Sequence, residues 1–333
     1  MAKTKWKNNN VLKEMCMDIP EELKENINKL LKENQINKVL EEAKIISDRY
    51  RNNRDLGKKL LTKETEAVSY AISRMPATYA AVSAVLEQTL ENYNEDIKNA
   101  LDIGAGTGAA AWAINEKTAV NDIKCLEREE CMISIGKKLM ENTNLMDIKW
   151  DKFDILEDDI KETADLVITS YMINELPKEV RNRAIKKIWD STDKLLVVIE
   201  PGTPAGFENI LEIRKELLND GGYIVAPCCC IGKCPISKDD WCAFYTRISR
   251  SSIHRQAKNG VLGYEDEKFS YIVFSKIQVK NNGERILRHP QINSGYVKVK
   301  VCTANGIEEK IYSKKDKEIY KKVRKMGAGQ KIR

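Results

Sequence analysis

Apolar positions in the N-terminal part of the chain recur at helical spacing. Ile36, Val39, Leu40, Ala43, Ile46 and Tyr50 share one face of a 3.6-residue repeat, so residues 20–93 read as helices. A second apolar segment runs from Ala67 to Arg74. Pro76 breaks it, since proline disrupts a helix interior but fits a first turn, and the next helix runs from Ala77 to about Tyr93. From Ala100 the pattern changes to short apolar runs alternating with helical segments. Ala100–Ile103, Asp122–Leu126, Asp147–Trp150, Asp165–Thr169 and Lys194–Ile199 read as strands, with an Ala-rich helix at Ala109–Ile114. Such alternation predicts an α/β fold with a parallel, doubly wound sheet, whose ligands lie beyond the carboxyl ends of the strands. Farther on, Lys268–Phe274 and Tyr296–Val301 alternate as strands, and Ile307–Tyr312 pairs with the latter across Asn305-Gly306.

These changes divide the chain into a helical region (1–95), the doubly wound domain (96–225), a Cys-rich and then basic segment (226–260), C-terminal strands (261–313) and a basic tail (314–333). Apolar residues make up 42% of the 333, enough for a packed core, which excludes an intrinsically disordered chain. No run reaches the roughly 18 apolar residues of a membrane helix. The opening MAKTKWKNNN lacks the apolar stretch of a secretory signal, so the expected compartment is the cytoplasm. The net charge of +6 is uneven: residues 314–333 hold nine Lys and Arg against two acids, so the rest sums to −1. A basic end on a near-neutral body suits a polyanion such as nucleic acid, or is a solvated terminus.

The run Leu101-Asp102-Ile103-Gly104-Ala105-Gly106-Thr107-Gly108 closes the first strand. Its glycines let the backbone turn sharply beside a ligand, and the next helix offers free N–H groups. Glu127, ending the second strand, is placed to accept both hydroxyls of a ribose. Ala109 also lets the run fit a loose dinucleotide fingerprint. Three features favour S-adenosylmethionine over a nicotinamide: Asp102 two residues before the first glycine, the tighter pattern completed by Gly108, and Asp154-Ile155 after strand three, suited to an adenine edge. The segment resembles the nucleotide site of class I methyltransferases.

Five of the nine cysteines, Cys228, Cys229, Cys230, Cys234 and Cys242, crowd into fifteen positions, and Cys302 stands alone downstream. Zinc knuckles use short C-x2-4-C pairs, and only Cys230 and Cys234 qualify. Wide, irregular spacing better suits four thiolates around a larger inorganic cluster. Pro227-Cys228 is also the dipeptide of cytosine-C5 methyltransferase nucleophiles, but there it follows strand four, where this chain has Ser170-Tyr171. Plain reduced thiols are the remaining alternative. Beyond the cysteines, Arg247, Arg250 and His254 are spaced to share a face if the segment is helical, with Arg255 adjacent and Trp241 and Tyr245 nearby as stacking partners.

Several ordered pieces between Tyr70 and Lys325 together resemble the methyltransferase-like assembly factors of the mitochondrial small ribosomal subunit and their bacterial relatives. They are Tyr70-Ala-Ile-Ser-Arg74-Met-Pro76-Ala-Thr78-Tyr, the glycine run, Ser170-Tyr-Met-Ile-Asn174-Glu175-Leu, Glu200-Pro-Gly-Thr-Pro-Ala-Gly206-Phe207, Asp240-Trp-Cys242, the basic run from Arg247 to Lys258, Tyr264 to Tyr271, and Val301-Cys302-Thr303. The resemblance implies a class I methyltransferase-like fold and a [4Fe–4S] cluster on Cys228, Cys234, Cys242 and Cys302. It also implies a role on small-subunit ribosomal RNA during assembly or translation; separately, a monomer is expected away from the ribosome. Two departures stand out: Cys229-Cys230 where the family often has Pro-His, and Met326-Gly327-Ala328 where relatives tend towards Trp-Gly-Asp. The first leaves the ligand set open by one or two positions.

Asp102, Gly104, Gly106, Gly108, Glu127 and Asp154 are thus expected to hold the cofactor. Arg247, Arg250, Arg255 and the 314–333 tail are expected to meet RNA phosphates. If methyl transfer occurs, Ser170, Tyr171, Asn174 and Glu175 line the acceptor side, although the Asn/Asp-Pro-Pro-Tyr motif of many amino-methylating enzymes is absent after strand four. A nicotinamide oxidoreductase drawing electrons from the cluster is the rival of another class.

Overall fold

A computed structural model describes residues 16–52, 61–258, 260–279 and 283–332. Residues 1–15, which carry the reading of the amino terminus, the side chain of Tyr50 and Arg333 of the basic tail lie outside the described residues. The helical region comprises α1 (Glu21–Glu33), α2 (Ile36–Asn52), α3 (Glu64–Ser73) and α4 (Met75–Leu90). Val39, Ala43 and Ile46 are buried as their spacing predicts, while Ile36, at the start of α2, is exposed. The α3–α4 break falls at Arg74, and Pro76 sits inside the first turn of α4. Helix α4 buries nearly its whole circumference, including Ala77, Ala80, Ala81, Val82 and Val85. Its small residues allow close approach to the Ala-rich α5 (Ala109–Lys117) on one side and the sheet on the other.

The remaining elements of the large sheet follow: β1 (Asn99–Ile103), β2 (Asp122–Glu127), α6 (Glu130–Met140), β3 (Lys149–Lys152), β4 (Ala164–Ser170), α7 (Lys178–Asp190), β5 (Thr192–Pro201), α8 (Pro204–Asn219), β6 (Tyr223–Ala226), β7 (Phe244–Ser249), α9 (Ser252–Ala257) and β8 (Tyr264–Ser275). The strand order is β3-β2-β1-β4-β5-β8-β6, with β7 also on β8. The first five strands are parallel, as predicted. The sheet is nevertheless mixed. Strand β8 lies between β5 and β6, antiparallel to both, instead of in a separate C-terminal unit. One core packs the N-terminal helices on one face; a second lies under α7 and α8 on the other.

A second correction concerns the basic segment expected to be helical. Phe244–Ser249 is a strand, because β8 offers it a full antiparallel ladder from Phe244↔Phe269 to Ser249↔Tyr264. Phe244 and Ile248 are buried in the first core, so Arg247 and Arg250 do not share a helical face.

The chain ends in a five-stranded sheet: β9 (Glu284–Ile286), β10 (Gln291–Ile292), β11 (Tyr296–Thr303), β12 (Gly306–Ser313) and β13 (Lys331–Ile332), crossed by α10 (Lys317–Val323). The β11–β12 hairpin turns at Ala304-Asn305, with the predicted pairing. The basic tail is not a frayed end. Tyr320, Val323 and Ile332 join the core of this sheet, and β13 pairs with β9.

Arg285, 1% exposed, ties three regions together. Its Nε donates to Pro227 O at 3.1 Å, and its Nη1 donates to Gln88 Oε1 at 2.6 Å and Gly329 O at 2.8 Å. Arg285→Met would leave these buried acceptors unmatched, at about 1–3 kcal/mol each where water cannot replace the donor. We therefore expect urea unfolding to show a loss of about 3 kcal/mol; a loss under 1 kcal/mol would mean that the three regions do not depend on this side chain.

Candidate functional site

The carboxyl ends of β1 to β5 open into a cavity of about 320 Å³. The loop after β1 turns through Gly104, Gly106 and Gly108, all at positive φ (+74°, +58° and +85°). Gly104 N and Ala105 N donate to Leu126 O at 2.9 and 3.1 Å, closing the loop onto β2. Gly108 supports the loop from behind and does not line the cavity; a Cβ there would lie 2.5 Å from Met140 Cε.

Gly104, Gly106, Glu127, Asp154, Ser170, Tyr171, Asn174 and Glu175 all line this cavity. Glu127 Oε2 accepts from Gly106 N at 2.7 Å and Oε1 from Glu129 N at 2.8 Å, so the backbone fixes the carboxyl in place. Asp154 Oδ1 also accepts from Leu156 N at 3.0 Å, so it shapes its own turn as well as the wall. Tyr171 is held at φ +61°, rare for a non-glycine residue, by its N–H on Ile199 O at 2.7 Å and by Asn174 Nδ2 on its carbonyl at 2.6 Å. Its hydroxyl donates to Glu267 Oε1 at 3.0 Å.

Asp102 lies behind the loop, fully buried, and neither carboxyl oxygen has a hydrogen-bond partner among the described residues. Burial first, and Glu127 second, push it up to about 8. Burial also raises Glu127, pushes Glu175 up to about 8 and pushes Glu200 up to about 7. Glu200 is held by Asn209 Nδ2 at 2.7 Å, while its Oε1 has no partner among the described residues. Burial therefore makes the carboxyls in and behind the cleft harder to ionise than usual, although Arg128 draws Glu127 and Glu175 the other way.

A second cavity lies on the far side of β8, lined by Cys228, Cys230, Cys234, Cys242 and Cys302 together with Arg214, Arg285, Phe244 and Tyr271. The four cysteines proposed as ligands thus share one wall system although Cys302 is sixty positions beyond Cys242. Cys230, outside the ligand set that the resemblance implies, joins them and lies within hydrogen-bonding reach of Cys302. That contact pulls Cys230 down to about 6 and pushes Cys302 up. Cys229 does not line the cavity. Two arginines frame the loop. Arg214 Nη2 donates to the carbonyls of Cys230 (2.9 Å), Ile231 (3.1 Å) and Gly232 (2.6 Å), and Arg285 holds Pro227. Arg214 Nε and Arg285 Nη2 are buried without partners among the described residues. The space between the thiols is small, about 30 Å³. Among the described residues no three Cys, His, Asp or Glu side chains are arranged to hold a metal ion. The donor set nevertheless fits a cluster better than a single ion: several thiols surround a space, and unpaired guanidinium N–H groups can face the negative charge of thiolates.

The arginines expected at RNA are differently engaged. Arg247 makes two bonds to Asp266, at 2.7 and 2.9 Å, and lies 4.1 Å over the Tyr264 ring. Arg250 and Lys258 both bind Glu265, with His254 Nε2 3.4 Å away. Arg255 is exposed and makes no ion pair among the described residues. Nor do Lys314, Lys315, Lys317, Lys322 and Lys325, all exposed around α10.

Sequence reasoning missed Tyr70, Arg74 and Thr78 as cavity residues. Their signal was present, since they recur every four residues through a run that carried the family resemblance. It also missed Arg214 and Arg285, for which no local pattern exists.

The sheet order and glycine-loop cleft define a class I S-adenosylmethionine methyltransferase-like protein. The family described as mitochondrial small ribosomal subunit Rsm22 matches residues 64–333, and the chain belongs to it. The human ribosome assembly protein METTL17, mitochondrial, is 24% identical over 255 residues; the match covers 70% of this chain and 54% of the human protein, so the chain spans about half the length of that curated relative. Similar solved structures include the N-methyltransferase NodS from Bradyrhizobium japonicum, crystallised with S-adenosyl-L-homocysteine (14% identity, 70% of this chain and 97% of that chain, TM-score 0.42). Another is the magnesium protoporphyrin IX methyltransferase of Synechocystis with bound S-adenosylmethionine (12% identity, 69% and 91%, TM-score 0.40). Among the described residues no helix is long and apolar enough to cross a membrane.

The pKa of Asp102 has a direct consequence for stability. Its folded value of about 8 exceeds the ordinary 3.8, so the folded state keeps a proton that the unfolded chain releases. The ligand-free protein accordingly loses stability as pH rises from about 4 to about 8. Asp102→Asn removes that dependence. Urea unfolding at pH 5 and pH 8 should show the variant gaining on the wild type at the higher pH; an equal difference at both values would contradict the assignment.

Proposed function

We propose that this protein is a small-subunit ribosome assembly factor that binds S-adenosylmethionine in the cleft, carries a [4Fe–4S] cluster on Cys228, Cys234, Cys242 and Cys302, and contacts ribosomal RNA. The family membership and the human relative, a ribosome assembly protein, support the ribosomal role. The observation that carries the cofactor reading is the set of buried carboxyls around the glycine loop. S-adenosylmethionine brings a sulfonium and an ammonium, and positive charge relieves raised carboxyl pKa values. A nicotinamide dinucleotide brings a negative pyrophosphate to the same acids. Asp102, reached through the loop, and Glu127, with carboxylate lone pairs left over, are suited to the ammonium and the ribose. Asp154 and Ile155 are suited to the adenine.

For the cluster, the support is the gathering of distant thiols beside two arginines with unpaired N–H groups. When bound, such a group supplies a rigid four-way link between the 227–242 loop and β11. The loop's own contacts already point that way: Asp240 binds Arg288 and accepts from Lys300 Nζ at 3.3 Å, and Trp241 Nε1 donates to Gly202 O at 3.1 Å. For RNA, Arg255 and the lysines around α10 are better suited than Arg247 and Arg250, whose charges are already neutralised. Methyl transfer is the second reading, favoured by Ser170, Tyr171, Asn174 and Glu175 lining the same cavity as the glycine loop. The nine free cysteines suit a reducing compartment, for which the cytoplasm is proposed, whereas the human relative is mitochondrial.

Calorimetry tests the cleft. Binding of the cation should lower the carboxyl pKa values and expel protons, so affinity should rise between about pH 6 and 7.5, below the titration of the ligand's own amine. Tight NAD binding with no adenosylmethionine binding would reject the reading. Anaerobic purification tests the cluster: wild-type protein should contain about four iron and four sulfide per chain, and Cys302→Ser should lose iron. Unchanged iron in that variant removes Cys302 from the ligand set.

A further inference from the structure

The Tyr70–Thr78 run carries the family resemblance yet has no part in the function described so far. The structure places it on the cleft. Tyr70, Arg74 and Thr78 lie on one face across the α3–α4 junction and line the cavity. A Cβ at Gly106 would lie 3.8 Å from Tyr70 Cε1, so this face covers the glycine loop directly. Arg74 sits at the junction, its side chain 34% exposed. Its guanidinium makes no hydrogen bond among the described residues, and its one ionic contact is Glu267 Oε1 at 3.8 Å, an oxygen that already accepts from Tyr171. Half-buried donors facing a cavity in this way suit an anionic group of the ligand.

The sheet order says which group. Across the cavity the strand ends run β3, β2, β1, β4, which places Asp154, Glu127, the glycine loop and then Tyr171 in line. Given the reading of the cleft as an adenosylmethionine site, adenine and ribose occupy the β3 and β2 end. The amino-acid portion then reaches the β1–β4 end. Two cations line the cavity, Arg74 and Arg128. Arg128 is at the adenine end, 3.9 Å from Asp154 and 3.6 Å from Glu129. Arg74 is at the other, beside Tyr171. We propose that Arg74 binds the α-carboxylate of the cofactor, opposite the ammonium that Asp102 attracts through the loop.

The inference rests on the adenosylmethionine reading but can fail separately from it. Calorimetry on the full chain would compare S-adenosylmethionine, its decarboxylated analogue and methylthioadenosine, which lacks the whole amino-acid portion. Wild-type protein should bind the parent more tightly than either analogue. Arg74→Gln should weaken the parent by about tenfold to a hundredfold, the range for a hydrogen bond to a charged group. It should leave methylthioadenosine affinity unchanged, which also shows that the variant is folded. Arg74→Lys should lose less, because it keeps the charge. Equal weakening of parent and methylthioadenosine, or no weakening of the parent, overturns the role of Arg74. So does wild-type protein that binds the decarboxylated analogue as tightly as the parent, a result independent of any variant. Wild-type protein that binds none of the three overturns the cleft reading itself, and this inference with it.

Discussion

Burying the Asp102 carboxyl behind the glycine loop, with no hydrogen-bond partner within reach among the described residues and only the nearby Ala111 N–H to favour its charge, is a constraint that shapes the whole cleft. An ionised carboxylate there would be severely penalised, so the group keeps its proton and remains a donor and acceptor without partners. Glu127, Glu175 and Glu200 meet the same penalty from burial. Each also resists ionisation of its neighbours. The loop can turn over this floor only because three glycines accept positive φ, and the floor is tolerable only because the rest of the sheet is well packed. Such an arrangement is poor for stability and good for attracting positive charge.

The cysteine cavity shows the opposite sign. Its charged side chains are the guanidinium groups of Arg214 and Arg285. Arg214 spends Nη2 on three carbonyls of the cysteine loop, Arg285 gives one bond to that loop at Pro227 and the others to Gln88 and Gly329, and Arg214 Nε and Arg285 Nη2 have no partner among the described residues. Glu267 on β8 accepts from the cleft residue Tyr171, and Tyr271, four residues on, lines the cysteine cavity. At about 3.3 Å per residue these points are roughly 13 Å apart. Strand β8 thus backs one site and walls the other, and Gln88 of α4, which accepts from both Tyr271 and Arg285, braces it.

Much of the cleft was legible because its chemistry is local. Gly104, Gly106, Asp102 and Glu127 sit at strand ends whose apolar runs mark them, and a turn that needs positive φ leaves glycine behind as its trace. The convergence of Cys302 on Cys228, Cys234 and Cys242 was legible only through the family resemblance, since spacing cannot report contact across sixty positions. The antiparallel course of β8 was hidden for a related reason. Its run from Tyr264 looks like any amphipathic strand, and its place between β5 and β6 is set by partners distant in sequence. The basic segment misled because Arg247, Arg250 and His254 fit helical spacing equally well. The burial of Phe244 and Ile248, together with β8's free edge, decided for a strand.

That misreading changes the electrostatics of the face proposed for RNA. In register on adjacent strands, Arg247 meets Asp266 directly, and its two short bonds make a pair that a phosphate would have to displace. Arg250 shares Glu265 with Lys258 and His254, and these neighbours hold the Glu265 carboxyl ionised well below its usual range despite its burial. Charges engaged in this way stiffen the sheet edge more than they attract a polyanion. The lysines at 314, 315, 317, 322 and 325 have no such partners among the described residues, and α10 fixes them on a folded surface. Counterion release depends on cations free to approach phosphate. The C-terminal sheet, held to the cysteine loop by Arg285 and Asp240, therefore joins Arg255 in carrying the charge that the proposed RNA contact would use.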